Sequence, residues 1–208
     1  MSADKVDGRS LRAKKKRESR KKEILQAAQK VIGMQGYQAS SVSDIIKEAN
    51  VSRGTFYLYF ESMDAIFHEL VDQFINQIMR TVSPVQIENG KPLEDILENI
   101  ERVMEILFEH RDLTAILLRE AISQGATVNE KLSRLYNFLY RNVKNALRNG
   151  AKWEILRPVD ENIIAMAFIG SIKEVLYQYL VVQDQSKDVD RKKLAQELLA
   201  FGLRGLAL

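Results

Sequence analysis

Cysteine is absent from the 208 residues, which removes disulfides, thiolate metal sites and cysteine nucleophiles together. The absence fits a reducing compartment. Histidine occurs twice, as His68 and His110, and neither has a partner at a metal-ligand spacing such as His-x-x-x-His, so no metal site is expected. No nucleophile–base pair, paired catalytic carboxylates or phosphate-binding loop can be found by spacing, so neither an enzyme nor a cofactor is expected. No apolar run approaches the ~18–20 residues of a membrane span. The charged N-terminus lacks the apolar stretch of a secretory signal. The expectation is a soluble, cytoplasmic protein with no membrane partner.

What is present is helix. Hydrophobic residues make up 46% of the chain, enough for a sizeable core. Ile24, Leu25, Ala28, Val31 and Ile32 follow helical spacing, and Gly36 stands where a left-handed residue would end that helix. Ser41-Val42-Ser43-Asp44 has the form of a capping box, followed by Val42, Ile45, Ile46 and Ala49 on one face. Asn50 and Val51 make a tight connection, and Ser52 is a natural N-cap for a third short helix from Arg53 to about Tyr59. The run Thr55 to Phe60 is rich in strand formers, but a lone strand between helices would have no partner, so helix is preferred. Ser62 is the candidate cap of a fourth helix reaching Thr81.

The remainder also reads as helix. Pro84 and Gly90-Lys91-Pro92 bracket a loop. Ile96, Ile100, Val103, Met104, Leu107 and Phe108 form a stripe over about 92–110, and Leu113 to Ser123 is a short apolar helix interrupted by Arg119-Glu120, which reads as a surface or intersubunit ion pair or as a ligand-orienting pair. Leu132, Leu135, Leu139, Val143, Ala146 and Leu147 form another stripe ending near Gly150. Ile163 to Val182 is apolar on more than one face, and Leu194, Leu198, Leu199 and Phe201 mark a last helix. The expected fold is all-α, with a three-helix helix-turn-helix head joined to a larger helical body. The domains expected are a disordered basic arm over 1–17, a head over 18–65 and a body over 66–208.

Charge is unevenly spread. Residues 1–60 hold 13 Lys and Arg against 6 Asp and Glu, while the remaining 148 hold 18 against 22. Basic residues concentrate in the first 22, and such arms often contact phosphates. Three short helices with a tight turn between the second and third suit a helix-turn-helix, whose third helix must present short polar groups at its N-terminal end. Ser52, Arg53, Gly54 and Thr55 are those groups. Arg53 can read guanine with two donors, Gly54 lets the backbone approach closely, and Tyr57 and Tyr59 can reach phosphates. Val51, Phe56 and Phe60 are the candidates for the small core behind this face.

The segment Gly36-Tyr37-x-x-Ser40-Ser41-Val42-x-Asp44-Ile45-Ile46-x-x-Ala49-x-Val51-Ser52-x-Gly54-Thr55-Phe56-Tyr57-x-Tyr59-Phe60 resembles the DNA-binding signature of the TetR family of transcriptional regulators. The resemblance implies that the third helix reads the major groove and that Ser40 and Ser41 contact phosphate. Ser52, Arg53, Gly54, Thr55, Tyr57 and Tyr59 would form the reading face. It also implies a homodimer on a palindromic double-stranded DNA operator, and a small-molecule effector bound in the body that releases DNA. A repressor is the expected role. One departure is Met63, flanked by Glu61 and Asp64, where the family usually has a phosphate-gripping lysine.

Within the body, Met104, Phe108, His110, Leu117, Tyr136, Phe138, Tyr140, Met166 and Phe168 are candidates for an effector pocket suited to an apolar or amphipathic ligand. Ile169, Ile172, Val175, Leu176, Tyr179, Leu194, Leu198 and Phe201 are candidates for a dimer interface built as an intermolecular four-helix bundle. The alternatives are a DNA-binding dimer without small-molecule control, which a body lacking any cavity would favour, and, more remotely, a helical enzyme.

Overall fold

The computed structural model describes residues 4–85, 90–120, 125–183 and 189–206. These form nine α-helices and one π turn: α1 Asp4–Gln35, α2 Val42–Glu48, α3 Arg53–Tyr57, α4 Met63–Thr81, α5 Pro92–Glu109, α6 Arg111–Glu120, α7 Gly125–Lys152, α8 Glu161–Tyr177, the π turn Gln178–Val182, and α9 Arg191–Arg204. The described residues contain no strand element, so the fold is all-α. The chain divides into two compact units, Met1–Val71 and Asp72–Leu208. The division falls inside α4, a little beyond the boundary at 65 that the sequence suggests.

In the first unit, Ile24, Ala28 and Ile32 of α1 are buried with Ile45 of α2, Phe56 of α3 and Ile66 and Phe67 of α4. The caps fall where the sequence places them. Gly36 has φ +81 and its N–H reaches the Ile32 carbonyl at 2.8 Å, closing α1. Ser41 and Asp44 form the reciprocal capping box of α2. Asn50 takes the left-handed conformation at φ 50 in the turn that follows, a conformation asparagine tolerates better than most residues. The Ser52 hydroxyl accepts the Thr55 N–H at 3.0 Å to start α3, and the Ser62 hydroxyl accepts the Ala65 N–H at 3.0 Å to start α4. The strand-forming run from Thr55 is helical, but only to Tyr57, with Leu58 as its C-cap.

The arm departs from expectation. The described residues 4–17 are not an unstructured tail; they are the first half of α1. The physical reason is that lysine, arginine, alanine and glutamate are good helix formers. A helix already nucleated by the buried half extends at little cost per residue.

In the second unit, Met104 and Phe108 of α5 pack with Leu176, Leu180 and Leu198 from α8, the π turn and α9. A second, smaller cluster joins Leu147, Leu156 and Leu206. Gly150 does not end α7, which continues to Lys152. A β-carbon there would lie 2.6 Å from a methyl of Leu156, so the glycine admits that side chain. The expected Leu113–Ser123 helix begins at Arg111, and residues 121–124 lie outside those described. Arg119 donates to the Val181 carbonyl at 3.3 Å, while the Glu120 side chain of the expected ion pair lies outside the described residues.

One sequence expectation needs correction. Among the described residues, the helical stretch Glu161–Val182 is long and apolar enough by length and composition to cross a membrane, with a mean hydropathy of 1.3. Lys173 and Glu174 interrupt the apolar run without lowering its average below that mark, which is why a search for unbroken runs passes over it.

Candidate functional site

Two regions bring the sequence-predicted residues together. The first comprises the starts of α2 and α3. Ser52, Arg53 and Gly54 are exposed, Thr55 is half-buried, and Phe56 behind them is fully buried. Phe56 anchors the helix by packing edge-on to Tyr57 at 5.4 Å and against Phe60 at 5.9 Å. Tyr57 remains 49% exposed and Tyr59 half-buried. Val51, expected in the core with Phe56 and Phe60, is half-buried. Arg53 has no ion-pair partner among the described residues, so its five donors are available. At Gly54 a β-carbon would have only the Ser52 hydroxyl nearby, at 3.9 Å. Nothing inside the protein therefore requires glycine there.

The serines of α2 are more constrained than the sequence suggests. Ser40 donates its hydroxyl proton to the Gly36 carbonyl at 2.6 Å. Ser41 donates to the Asp44 carboxylate at 2.6 Å and accepts the Asp44 N–H at 3.2 Å. These bonds, the Ser41 side chain first and its backbone N–H second, hold the Asp44 carboxyl below the usual carboxylate range. A phosphate contact from either hydroxyl therefore has to exchange an internal bond.

Met63 is half-buried at the first position of α4. Tyr37 stacks on Phe67 with ring centroids 4.2 Å apart and donates its hydroxyl to Asp64. The start of α4 thus carries exposed carboxylates at Glu61 and Asp64 in place of a cation.

The second region is a cavity of about 770 Å³ within the second unit. Its walls are mainly apolar and include Ile96, Leu107, Leu139, Trp153, Phe168 and Ile172. Of the expected pocket residues, Met104, Tyr136 and Phe168 line it. Phe108 and Leu117 are instead buried in packing. Phe138 and Tyr140 are half-buried away from the walls, and Tyr140 lies 6.3 Å ring to ring from Tyr136. His110 packs edge-on to Phe74 and pairs with Gln77 at 3.2 Å. Met166 is 53% exposed. Burial, and secondarily Tyr140, pushes the Tyr136 hydroxyl above the usual phenol range, so it stays a neutral donor. Asn99 is polar lining that the sequence reading missed. It clamps the Ser83 backbone through two bonds of 2.8 Å. Trp153, the chain's single tryptophan, was missed as well. Its position just after the apolar stripe of α7 is the signal that was available.

Several expected interface residues face inward. Ile169, Leu176 and Leu198 are at most 7% exposed within the single chain. Ile172, Val175 and Leu194 pack against the larger core cluster, and Tyr179 is half-buried. The large apolar side chains left exposed on α8 and α9 are Ile163, Met166 and Phe201, the last at 68%.

Comparison with known proteins places this architecture. Residues 24–70 match the family described as bacterial regulatory proteins, tetR family. The chain is 35% identical over 194 residues to the HTH-type transcriptional regulator YdgC of Bacillus subtilis, covering 91% of this chain and 93% of that one. The crystal structure of the transcriptional regulator FadR from Bacillus subtilis, in complex with stearoyl-CoA, superimposes with a TM-score of 0.69 at 25% identity, covering 88% and 97% of the two chains. The SmeT–triclosan complex shares the fold with a TM-score of 0.72 at 20% identity, covering 91% and 92%; SmeT is the repressor of a Stenotrophomonas maltophilia efflux pump. From the helix-turn-helix head, the helical body and a 35% identical relative matched over nearly its whole length, it follows that the chain belongs to the TetR family of transcriptional regulators.

Proposed function

We propose that the protein is a homodimeric repressor that reads a palindromic operator and is released by an apolar or amphipathic effector. The observation that carries the DNA reading is the start of α3, where an arginine without an ion-pair partner among the described residues and a sterically unneeded glycine stand exposed above a fully buried phenylalanine. A rigid anchor with free donors above it is what direct readout of base edges requires. In this reading Arg53 contacts a base, Gly54 lets the backbone come close to the duplex, and Ser40, Ser41, Ser52, Thr55, Tyr57 and Tyr59 contact phosphates.

The effector reading is supported by the apolar cavity and by the neutral Tyr136 hydroxyl that can orient a polar end. FadR with stearoyl-CoA and SmeT with triclosan are related regulators holding ligands of this general character. Release demands that the effector bind the DNA-incompetent arrangement more tightly than the competent one. The homodimer is supported by the exposed apolar side chains Ile163, Met166 and Phe201 on α8 and α9, whose burial against a second copy would also account for the high hydropathy of α8.

The test begins by selecting a palindrome from a random duplex pool with the purified protein. Arg53→Ala should then reduce discrimination at one base position by about 1–3 kcal/mol, and Tyr57→Phe should weaken binding more evenly. Intact variants that bind with unchanged affinity and preference would show the reading face to be misplaced. Effector binding can be followed by the emission of Trp153 on adding stearoyl-CoA or triclosan. A shift in emission that leaves operator affinity untouched would remove the proposed control.

A further inference from the structure

Among the described side chains, the first half of α1 has no role in the head's core. Among residues 8–22, nine are arginine or lysine and one, Glu18, is acidic. Every described residue from 10 to 19 is exposed, and none of Arg12, Lys14, Lys15, Lys16 and Arg17 makes an ion pair among the described residues. The helix does not simply fray into solvent, because it is continuous with the buried half. It is also pinned at their junction, where Lys21 pairs with Glu69 at 2.9 Å and sits 5.6 Å above the Phe60 ring. Phe60 directly follows Tyr59 of the reading segment. The helix face that carries Ile24 and Ala28 is continued seven and eleven residues earlier by Lys21 and Arg17. One face therefore changes from apolar to basic at the point where it leaves the head.

We infer that this basic helix, Ser10 to Arg20, lies against the phosphate backbone of duplex DNA beyond the palindrome read by α3. The inference rests on the DNA-reading assignment above and adds a second contact to it. A cationic helix is complementary to a polyanion, and it begins beside Phe60, which directly follows the reading segment. Ten residue steps span about 15 Å, which matches about four to five base pairs at ~3.4 Å each. It also supplies the cationic charge that the start of α4, with Met63, Glu61 and Asp64, lacks.

The experiment uses the full chain and two duplexes: the selected palindrome cut flush, and the same palindrome extended by ten arbitrary base pairs on each side. The intact protein should prefer the extended duplex. A variant with Lys14→Gln, Lys15→Gln, Lys16→Gln and Arg17→Gln keeps good helix formers, and circular dichroism checks that its helix persists. It should match the intact protein on the flush duplex and bind the extended one about tenfold more weakly. Its log–log salt slope on the extended duplex should fall by about two or more, since each phosphate contact contributes roughly 0.9. Equal binding by both proteins to the extended duplex overturns the inference, as does an equal loss on both duplexes. Binding of the intact protein, but not the variant, to phosphatidylglycerol vesicles without any flank preference overturns it in favour of a lipid surface. If the intact protein selects no sequence at all, the proposed function fails too; specific binding without a flank effect sinks only the basic helix.

Discussion

The head and the body solve opposite problems with the same kind of element. The head closes a small core tightly: Ile24, Ala28, Ile45, Phe56 and Ile66 are fully buried, and the short helices α2 and α3 each begin at a serine cap. The body has more chain but leaves a cavity of about 770 Å³ beside its core clusters. Close packing fixes a surface that must match a partner to within a fraction of a bond length. Incomplete packing leaves room for a ligand and for rearrangement. The head is thus built for shape and the body for adjustment.

The largest effect that would break this contrast is at Phe56. Phe56→Ala should destabilise the head by about 3–5 kcal/mol and abolish specific binding. Ile172→Ala, on a wall already facing space, should cost no more than about 2 kcal/mol. Urea unfolding of both variants checks the difference, and equal costs would erase the distinction. Phe201→Lys, on the exposed face of α9, should raise the dimer dissociation constant at least tenfold in sedimentation equilibrium while leaving the thermal midpoint of the isolated chain nearly unchanged.

Gly54→Ala separates fold from function within the head. It gains up to about 1 kcal/mol of helix propensity and meets no internal atom closer than 3.9 Å, so the melting temperature should hold or rise. Operator affinity should nevertheless fall, and retained affinity would show that no duplex comes close to that backbone. Ser41→Ala removes the N-cap of α2 and should cost about 1 kcal/mol, read by chemical denaturation.

The smallest effect is at Asp44. Its carboxyl is held below the usual range by the Ser41 hydroxyl, then by the Ser41 backbone. A depressed folded value means that the contribution is complete above the unfolded carboxyl range and is lost as pH falls through the folded one. The difference in stability between the native chain and Asp44→Asn should therefore shrink as pH is lowered below about 4, where an unfolded aspartate begins to protonate. A constant difference down that range would show the capping box to be unimportant.

The head was legible because its signals are local. Ser41, Ser52 and Gly36 each mark a helix end through bonds with residues three or four positions away. What the sequence could not show there was the commitment of Ser40 to an internal acceptor, since it bonds a backbone carbonyl that carries no sequence signal. The arm has little to bury and so suggests disorder, whereas its helix-forming composition and its attachment to a buried helix decide the conformation of the described residues. In the body, Met104 and Phe108 lie on the same stripe of α5 and in the same core cluster, yet only the first also borders the cavity. Helical spacing tells which face is apolar but not whether a neighbour or a void stands opposite. The same limit explains why Leu117 was assigned to the pocket, and why Ile169 was given to a partner when it is packed inside its own chain.

The π turn at the end of α8 carries one more lesson. The Gln183 N–H reaches back five residues to the Gln178 carbonyl at 2.9 Å, and the guanidinium of Arg119 takes up the Val181 carbonyl. Such a turn holds one residue more than an α turn would, so the side chains within it leave the phase of α8. The extra residue works like a shifted reading frame. Deleting a single position between 178 and 182 would leave the composition of the helix almost untouched, yet it would shift the register of the turn and move the carbonyl that Arg119 takes up.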